Sequence, residues 1–234
     1  MIYHCKDILL HQLTVSMALA IFDLDHTLLN GDSDYLWGEY MVANQIVDKA
    51  EYQLENKAFL RDYQRGQLDN NRYLLFALKP LTQHPVEQLY NWREDYVKNW
   101  IKPIVANGTL KLLEQHRESG DTLIIVSATN LFITEPIAEL LGIANILSTQ
   151  PEIIDDRYTG RYLGIPTYKE GKVAALNAWL EDSEHRLDDS YFYSDSINDL
   201  PLLEQVSTPV AVNPDEELLV IAEERGWQIL DLRS

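Results

Sequence analysis

Cysteine is almost missing from this chain of 234 residues: Cys5 stands alone. No intrachain disulfide can form, and no cysteine-based zinc site can be built, which fits a reducing cytoplasm. Basic residues are scarce as well, 19 Lys and Arg against 37 Asp and Glu, for a formal net charge of −18. A surface of that sign repels a phosphate backbone, so no nucleic-acid partner is expected. No apolar run approaches the roughly 18–20 residues of a membrane span, so no membrane partner is expected either. What remains, 46% hydrophobic and 24% charged residues with 10 Gly and 9 Pro, is the composition of a soluble globular protein. Its length suits one large domain, or a domain with a sizeable insertion.

The amino-terminal stretch carries only part of a leader pattern. Residues 8–20, ILLHQLTVSMALA, are apolar and end in Ala18-Leu19-Ala20, which resembles a signal-peptidase site. His11 and Gln12 interrupt the run, Lys6 is offset by Asp7, and cleavage after Ala20 would remove most of the strand that follows. Residues 1–16 therefore read as an appendage, with Met17 as an alternative start.

Short continuous apolar runs, the mark of strands buried on both faces, occur at 18–22 (ALAIF), 122–126 (TLIIV) and 190–193 (SYFY). Weaker versions lie at 208–212 and 227–230. Helical patterns at 107–118, 133–141, 170–181 and 215–225 alternate with them, which predicts an α/β fold with a parallel sheet covered on both sides. Residues 151–168 contain a Thr-Gly turn between two Tyr-containing runs and read as a hairpin. Residues 33–103 break the alternation. Aromatic and aliphatic residues recur there at helical spacing, and Gly66, Pro80 and Pro85 divide them into about four helices. The pattern predicts an all-helical insert at 33–103 in a core made of 17–32 and 104–234, its aromatic stripes serving mainly as helix core.

The stretch AIFDLDHTLLNGDSD, residues 20–34, places two aspartates at the end of the first strand. Residues i and i+2 of a strand share a face, so Asp23 and Asp25 emerge together at the sheet edge where open parallel sheets bind ligands. Either acid alone could simply cap a turn or a helix. Three further elements join them. The second strand runs into Ser127-Ala128-Thr129, Lys172 sits near the start of the helix KEGKVAALNAWL, and SYFY runs into Ser194-Asp195-Ser196-Ile197-Asn198-Asp199. One chemistry uses the whole set. A carboxylate attacks phosphorus and becomes an aspartyl-phosphate, and a second protonates the leaving alkoxide and then deprotonates water. Crowded acids repel a phosphate dianion unless Mg²⁺ neutralises them, and a lysine with N–H and O–H donors steadies the equatorial oxygens. On this reading Asp23 is the nucleophile and Asp25 the acid/base.

Asp23-Leu24-Asp25-His26-Thr27 resembles the first motif of the haloacid-dehalogenase-like (HAD) phosphatases, Ser127 the second, Lys172 the third, and Asp195 with Asp199 the fourth. The resemblance runs from about residue 18 to the carboxyl terminus. It implies a Rossmannoid core and a C1-type helical cap after the first strand, as in the phosphoserine-phosphatase-like branch. It implies Mg²⁺ held by Asp23, the Asp25 carbonyl and Asp195, with Asp199 in support. Ser127, Ala128, Lys172 and Asn198 would hold the phosphate.

Asp23 to Gly38 is similar to bacterial members reading D-L-D-x-T-L-L-x-G-D-S-D-x-x-W-G, some of them histidinol-phosphate phosphatases of amino-acid biosynthesis. Typical phosphoserine phosphatases have glycines after the second-motif serine and a G-D-G-x-N-D fourth motif, where this chain has Ala128-Thr129 and Ser194-Asp195-Ser196, side chains that crowd the backbone approach glycine allows. Asp32, Asp34 and Glu39 fall at the expected mouth between core and cap. They read either as helix-capping acids or as the binding site for a cationic group on the leaving alcohol. The substrate is then a small phosphorylated metabolite, L-histidinol phosphate, with phosphoserine as the alternative and Arg61, Arg65 and Arg72 as suppliers of the cation it would need. A phosphotransferase would use the same nucleophile, and a silent binding module would have lost Asp23, Asp25 or Lys172, none of which is missing. The chain is expected to act as a monomer or a homodimer.

Overall fold

A computed structural model describes residues 18–234, so Cys5 and the appendage over 1–16 lie outside the described residues. The chain enters through β1 (Leu19–Phe22), buried along its whole length. Four helices follow: α1 (Ser33–Ala43), α2 (Lys49–Gln64), α3 (Asn70–Leu78) and α4 (Val86–Tyr96). The first three open on aspartate caps, with Asp32, Asp48 and Asp69 each accepting from backbone N–H groups of the first turn. The run of helix continues through a π turn at Val97–Ile101 and a 3-10 turn at Lys102–Ile104.

Strands and helices then alternate: α5 (Thr109–Ser119), β2 (Thr122–Asn130), α6 (Leu131–Leu141), β3 (Asn145–Ile154), β4 (Arg157–Leu163), α7 (Glu170–Glu181) and β5 (Ser190–Ser194). A short α8 (Leu200–Leu203), β6 (Thr208–Val212), α9 (Glu216–Arg225) and β7 (Gln228–Leu230) complete the chain. The seven strands form one sheet in the order β4-β3-β2-β1-β5-β6-β7, parallel throughout except where β3 meets β4. This is the expected Rossmannoid core with a helical cap inserted after the first strand.

Alternation along β1 divides the core in two. Ala20 and Phe22 face a cluster shared with Trp37 and Tyr40 of α1, Leu113 of α5 and Ile137 of α6. Leu19 and Ile21 face Leu176 of α7, Leu202 and Leu203 of α8, and Leu218 of α9. With β2 on one side and β5 on the other, β1 is the central strand at which the chain reverses its direction of winding, and its carboxyl end opens on the crevice such a reversal leaves. No helix among the described residues is long and apolar enough to cross a membrane.

Two expectations need correction. The hairpin turns at Asp155-Asp156, whose φ values are 50° and 57°, while Thr159-Gly160 lies inside β4. Two successive left-handed residues make the tight reversal that suits a twisted hairpin, and aspartate tolerates that region better than most side chains. The strand β3 also begins at Asn145, before the hairpin span, and pairs with β2 from Ile124 onward. Its opening residues NILSTQ, half-buried over NILS, have no continuous apolar run to announce them.

Candidate active site

The site is built where β1, β2 and β5 end. Asp23 follows β1 and is held in line by its N–H, which donates to the Tyr193 carbonyl of β5 at 2.9 Å. A tight loop follows, with His26 in the left-handed region and its N–H on the Gly31 carbonyl at 3.0 Å. Thr27, buried in that loop, is within 3.3 Å of both Asp23 Oδ2 and Asp195 Oδ1 through its hydroxyl, so these two carboxylates converge from separate strands.

Lys172 reaches the same point from the first turn of α7. Its side chain is 1% exposed, and Nζ donates to Asp23 Oδ1 at 2.6 Å and to Asp199 Oδ2 at 2.7 Å. The tight packing before α7 depends on Gly171, because a Cβ there would collide with the Pro166 carbonyl oxygen. Ser194 Oγ donates to the same Asp199 oxygen at 2.7 Å.

Asp25 is gripped twice, by the Ser33 N–H at 2.6 Å on Oδ1 and by the Thr129 hydroxyl at 2.7 Å on Oδ2. Pairing of β2 with β3 slips between Ser127 and Asn130, the kind of irregularity that re-aims side chains at a strand end. Ser127, buried at the same place, accepts from the Thr129 N–H at 3.2 Å.

Burial dominates the electrostatics. It acts to lower the Lys172 ammonium, but Asp199 and Asp23 outweigh it and hold Lys172 above its ordinary range. Burial pushes Asp23 upward against the pull of Lys172, and pushes Asp195 well above the carboxylate range, with Asp23 and Asp199 adding to it. Asp199 rises to about 6 by burial, opposed by Lys172. Asp25 rises to about 6 by burial and the nearby Asp32, opposed by its bonds to Ser33 and Thr129. One lysine thus faces more acids than it can neutralise.

A pocket opens over Asp23, Asp25, Ser127, Ala128 and Thr129, roofed by Asn56, Phe59, Leu60 and Tyr63 of α2 and by Asn70 and Tyr73 of α3. Of the three mouth acids, Asp32 and Asp34 line it. Glu39 does not: it lies farther along α1, where Oε2 accepts from Gln53 Nε2 at 2.9 Å. Asn198, like Lys172, Asp195 and Asp199, is not part of the pocket wall. Its amide donates to the Tyr63 carbonyl at 3.2 Å, and its Oδ1 accepts from the Tyr168 hydroxyl at 3.2 Å, joining the core loops to the end of α2. Arg61, Arg65 and Arg72 are exposed and absent from the lining; Arg72 pairs with Glu55 at 3.5 Å. Sequence reasoning missed the contacts of Thr27, Thr129 and Ser194. Only Thr27 carried a signal, as the threonine of the D-x-D-x-T stretch.

Residues 20–204 match the haloacid dehalogenase-like hydrolase family. A histidinol-phosphatase of Neisseria meningitidis is 46% identical over 219 residues, covering 92% of this chain and 99% of its own length. A phosphoserine phosphatase of Mycobacterium tuberculosis is 31% identical over 92% of this chain and 71% of its own. A crystal structure from Bordetella pertussis, of a protein of unknown function, superposes with a TM-score of 0.87 at 42% identity, over 93% of this chain and 99% of that one. The chain belongs to the haloacid dehalogenase-like hydrolases. It is a phosphatase of that family acting on a small phosphorylated metabolite, and membership implies a Mg²⁺-dependent mechanism.

Proposed function

We propose that the chain hydrolyses L-histidinol phosphate through an aspartyl-phosphate on Asp23. Residues 33–103 act as a cap over a core formed by 17–32 and 104–234. Asp23 attacks phosphorus, and its Oδ1 contact with Lys172 orients the carboxylate for that attack. Asp25, its acid raised to about 6, gives its proton to the departing alkoxide. It then takes a proton from the water that opens the aspartyl-phosphate. Ser127 and the backbone at Ala128 hold the phosphate oxygens with Lys172.

A hard cation fits the donor set. Asp23 and Asp195 offer converging carboxylate oxygens bridged by Thr27, and the local acids outnumber Lys172. Among the described residues no three His, Cys, Asp or Glu side chains are spaced to hold a metal, so the implied set, two carboxylates with the Asp25 carbonyl and Asp199 behind, leans on a backbone oxygen. When bound there, Mg²⁺ supplies the charge neutralisation that lets a phosphate dianion enter.

The observation that carries the substrate is the charge of the pocket wall: Asp32 and Asp34 line it, and no Lys, Arg or His does. Histidinol phosphate brings an ammonium and an imidazole and no carboxylate. Phosphoserine would bring a carboxylate with no cation to meet it. Asp32 is the residue for the ammonium: burial raises its acid, the Tyr35 N–H on its Oδ1 at 2.7 Å opposes that, and a bound cation would favour its charged form further. The test compares kcat/KM for the two esters, wild type against Asp32→Asn. Preference for histidinol phosphate and its loss in the variant are expected. A preference for phosphoserine, or unchanged histidinol-phosphate turnover in the variant, would sink the assignment.

A further inference from the structure

Asp34 is unlike the other acids of the pocket. It is 7% exposed, lines the cavity, and has an Oδ2 with no hydrogen-bond partner among the described residues. The phenol of Tyr73, also on the pocket wall, interacts with its carboxyl. Buried carboxylate oxygens ordinarily have partners, and an orphaned one facing a cavity is suited to a ligand donor. The mechanism leaves Asp34 unused.

Asp32 and Asp34 differ in the support given to their charge. Asp32 accepts from the backbone N–H groups of Tyr35 and Asp34, whereas Asp34 has only the Tyr73 phenol and lies close to the charges of Asp32 and Asp25. Burial pushes the Asp34 acid up to about 8, with those two neighbours adding to it. At neutral pH the empty pocket therefore holds a proton on Asp34. A permanently charged ammonium is best met by an ionised acid. A weak base is best met by an acid that still has a proton to share.

Resting on the phosphatase reading above, we propose that Asp34, with Tyr73, determines specificity by binding a weakly basic ring nitrogen, the imidazole of histidinol phosphate, at the far end of the leaving alcohol. Imidazole has an ordinary pKa of about 6.5 and arrives largely neutral at pH 7. On binding, the protonated Asp34 carboxyl donates its O–H to the neutral ring nitrogen, and no proton is exchanged with solvent. Placed so, the ligand has its phosphate at Asp23, its ammonium at Asp32 and its ring at Asp34, all three of which line the pocket.

The test is calorimetric titration with L-histidinol and with L-phenylalaninol, which keeps the ammonium and hydroxyl but has no ring nitrogen. Wild type is expected to prefer histidinol. Asp34→Leu keeps a similar bulk but offers no hydrogen-bond donor, and should weaken histidinol by about 10- to 100-fold while affecting phenylalaninol far less. Tyr73→Phe provides a second variant, with a smaller loss of the same selectivity. Equal losses for the two alcohols, or a wild type indifferent to the ring nitrogen, would overturn the proposal. Selective histidinol binding by a protein that fails to hydrolyse its phosphate ester would keep this subsite and overturn the substrate reading. Turnover of the ester with no ring selectivity would do the reverse.

Discussion

Two carboxyls raised by burial give the residue scale its measurable consequences. Asp25 should serve both half-reactions, so Asp25→Asn is expected to slow hydrolysis of an alkyl phosphate by about 10²–10⁴-fold. A nitrophenolate leaves with little help from an acid, so phosphoenzyme formation from p-nitrophenyl phosphate should suffer less. Rapid-quench comparison of the two esters checks this, and equal losses would count against the role. Asp34 has a stability signature of its own. Its acid is raised from 3.8 to about 8 in the folded chain. Across that window the folded state keeps a proton the unfolded chain has lost, so this group makes stability fall as pH rises, then level off above about 8. Asp34→Asn removes that titration. Urea unfolding at several pH values should therefore show the variant gaining on wild type from pH 5 to pH 8 and no further. A constant difference would mean that the carboxyl is ionised throughout. That Asp23, Asp25, Ser127, Lys172 and Asp195 fall at one edge of the sheet was legible because each sits at a strand end or helix start that local periodicity reveals. That Glu39 lies off the pocket wall depends on how α1 and α2 pack, which local periodicity does not reveal.

At the scale of elements, the cap is tied to the core at one end of α2. Lys169 Nζ donates to the Gly66 carbonyl at 2.9 Å, and Asn198 Nδ2 donates to the Tyr63 carbonyl at 3.2 Å. The neighbouring stretch of α2 and the start of α3 roof the pocket, so substrate choice should belong to these helices and the phosphate chemistry to the strand ends. Exchanging 33–103 for the corresponding segment of a relative with a different substrate is expected to transfer that preference. The kcat/KM ratio for the two substrates measures it, and a chimera that keeps the parent preference would locate specificity in the core loops. The helices of the cap were readable from their spacing and from Gly66, Pro80 and Pro85. Pro80 falls in a 3-10 turn, Lys79–Gln83, rather than in a plain break. The start of β3 was hidden because its burial comes from its position between β2 and β4, and a half-polar strand acquires that position only in the folded sheet.

For the whole molecule, a formal charge of −18 sets a long-range field that opposes an approaching phosphate ester. Added salt screens that field, with a Debye length falling from about 30 Å at 0.01 M to about 10 Å at 0.1 M. With p-nitrophenyl phosphate, which carries no compensating cation, kcat/KM is expected to rise as sodium chloride is increased at constant free Mg²⁺. A fall would show that local attraction at the site outweighs the net charge. The order of strands and helices, the insertion after β1, and the chemistry of acids and a lysine at the sheet edge are matters of local pattern. Burial periodicity and residue type depend on near neighbours in the chain, so sequence alone determined them. The Thr129 grip on Asp25, the Thr27 bridge between Asp23 and Asp195, the tether on α2 and the unpartnered oxygen of Asp34 join or expose groups that lie far apart along the chain. Only tertiary structure decided those, because long-range packing sets which polar atoms meet and which are left without a partner.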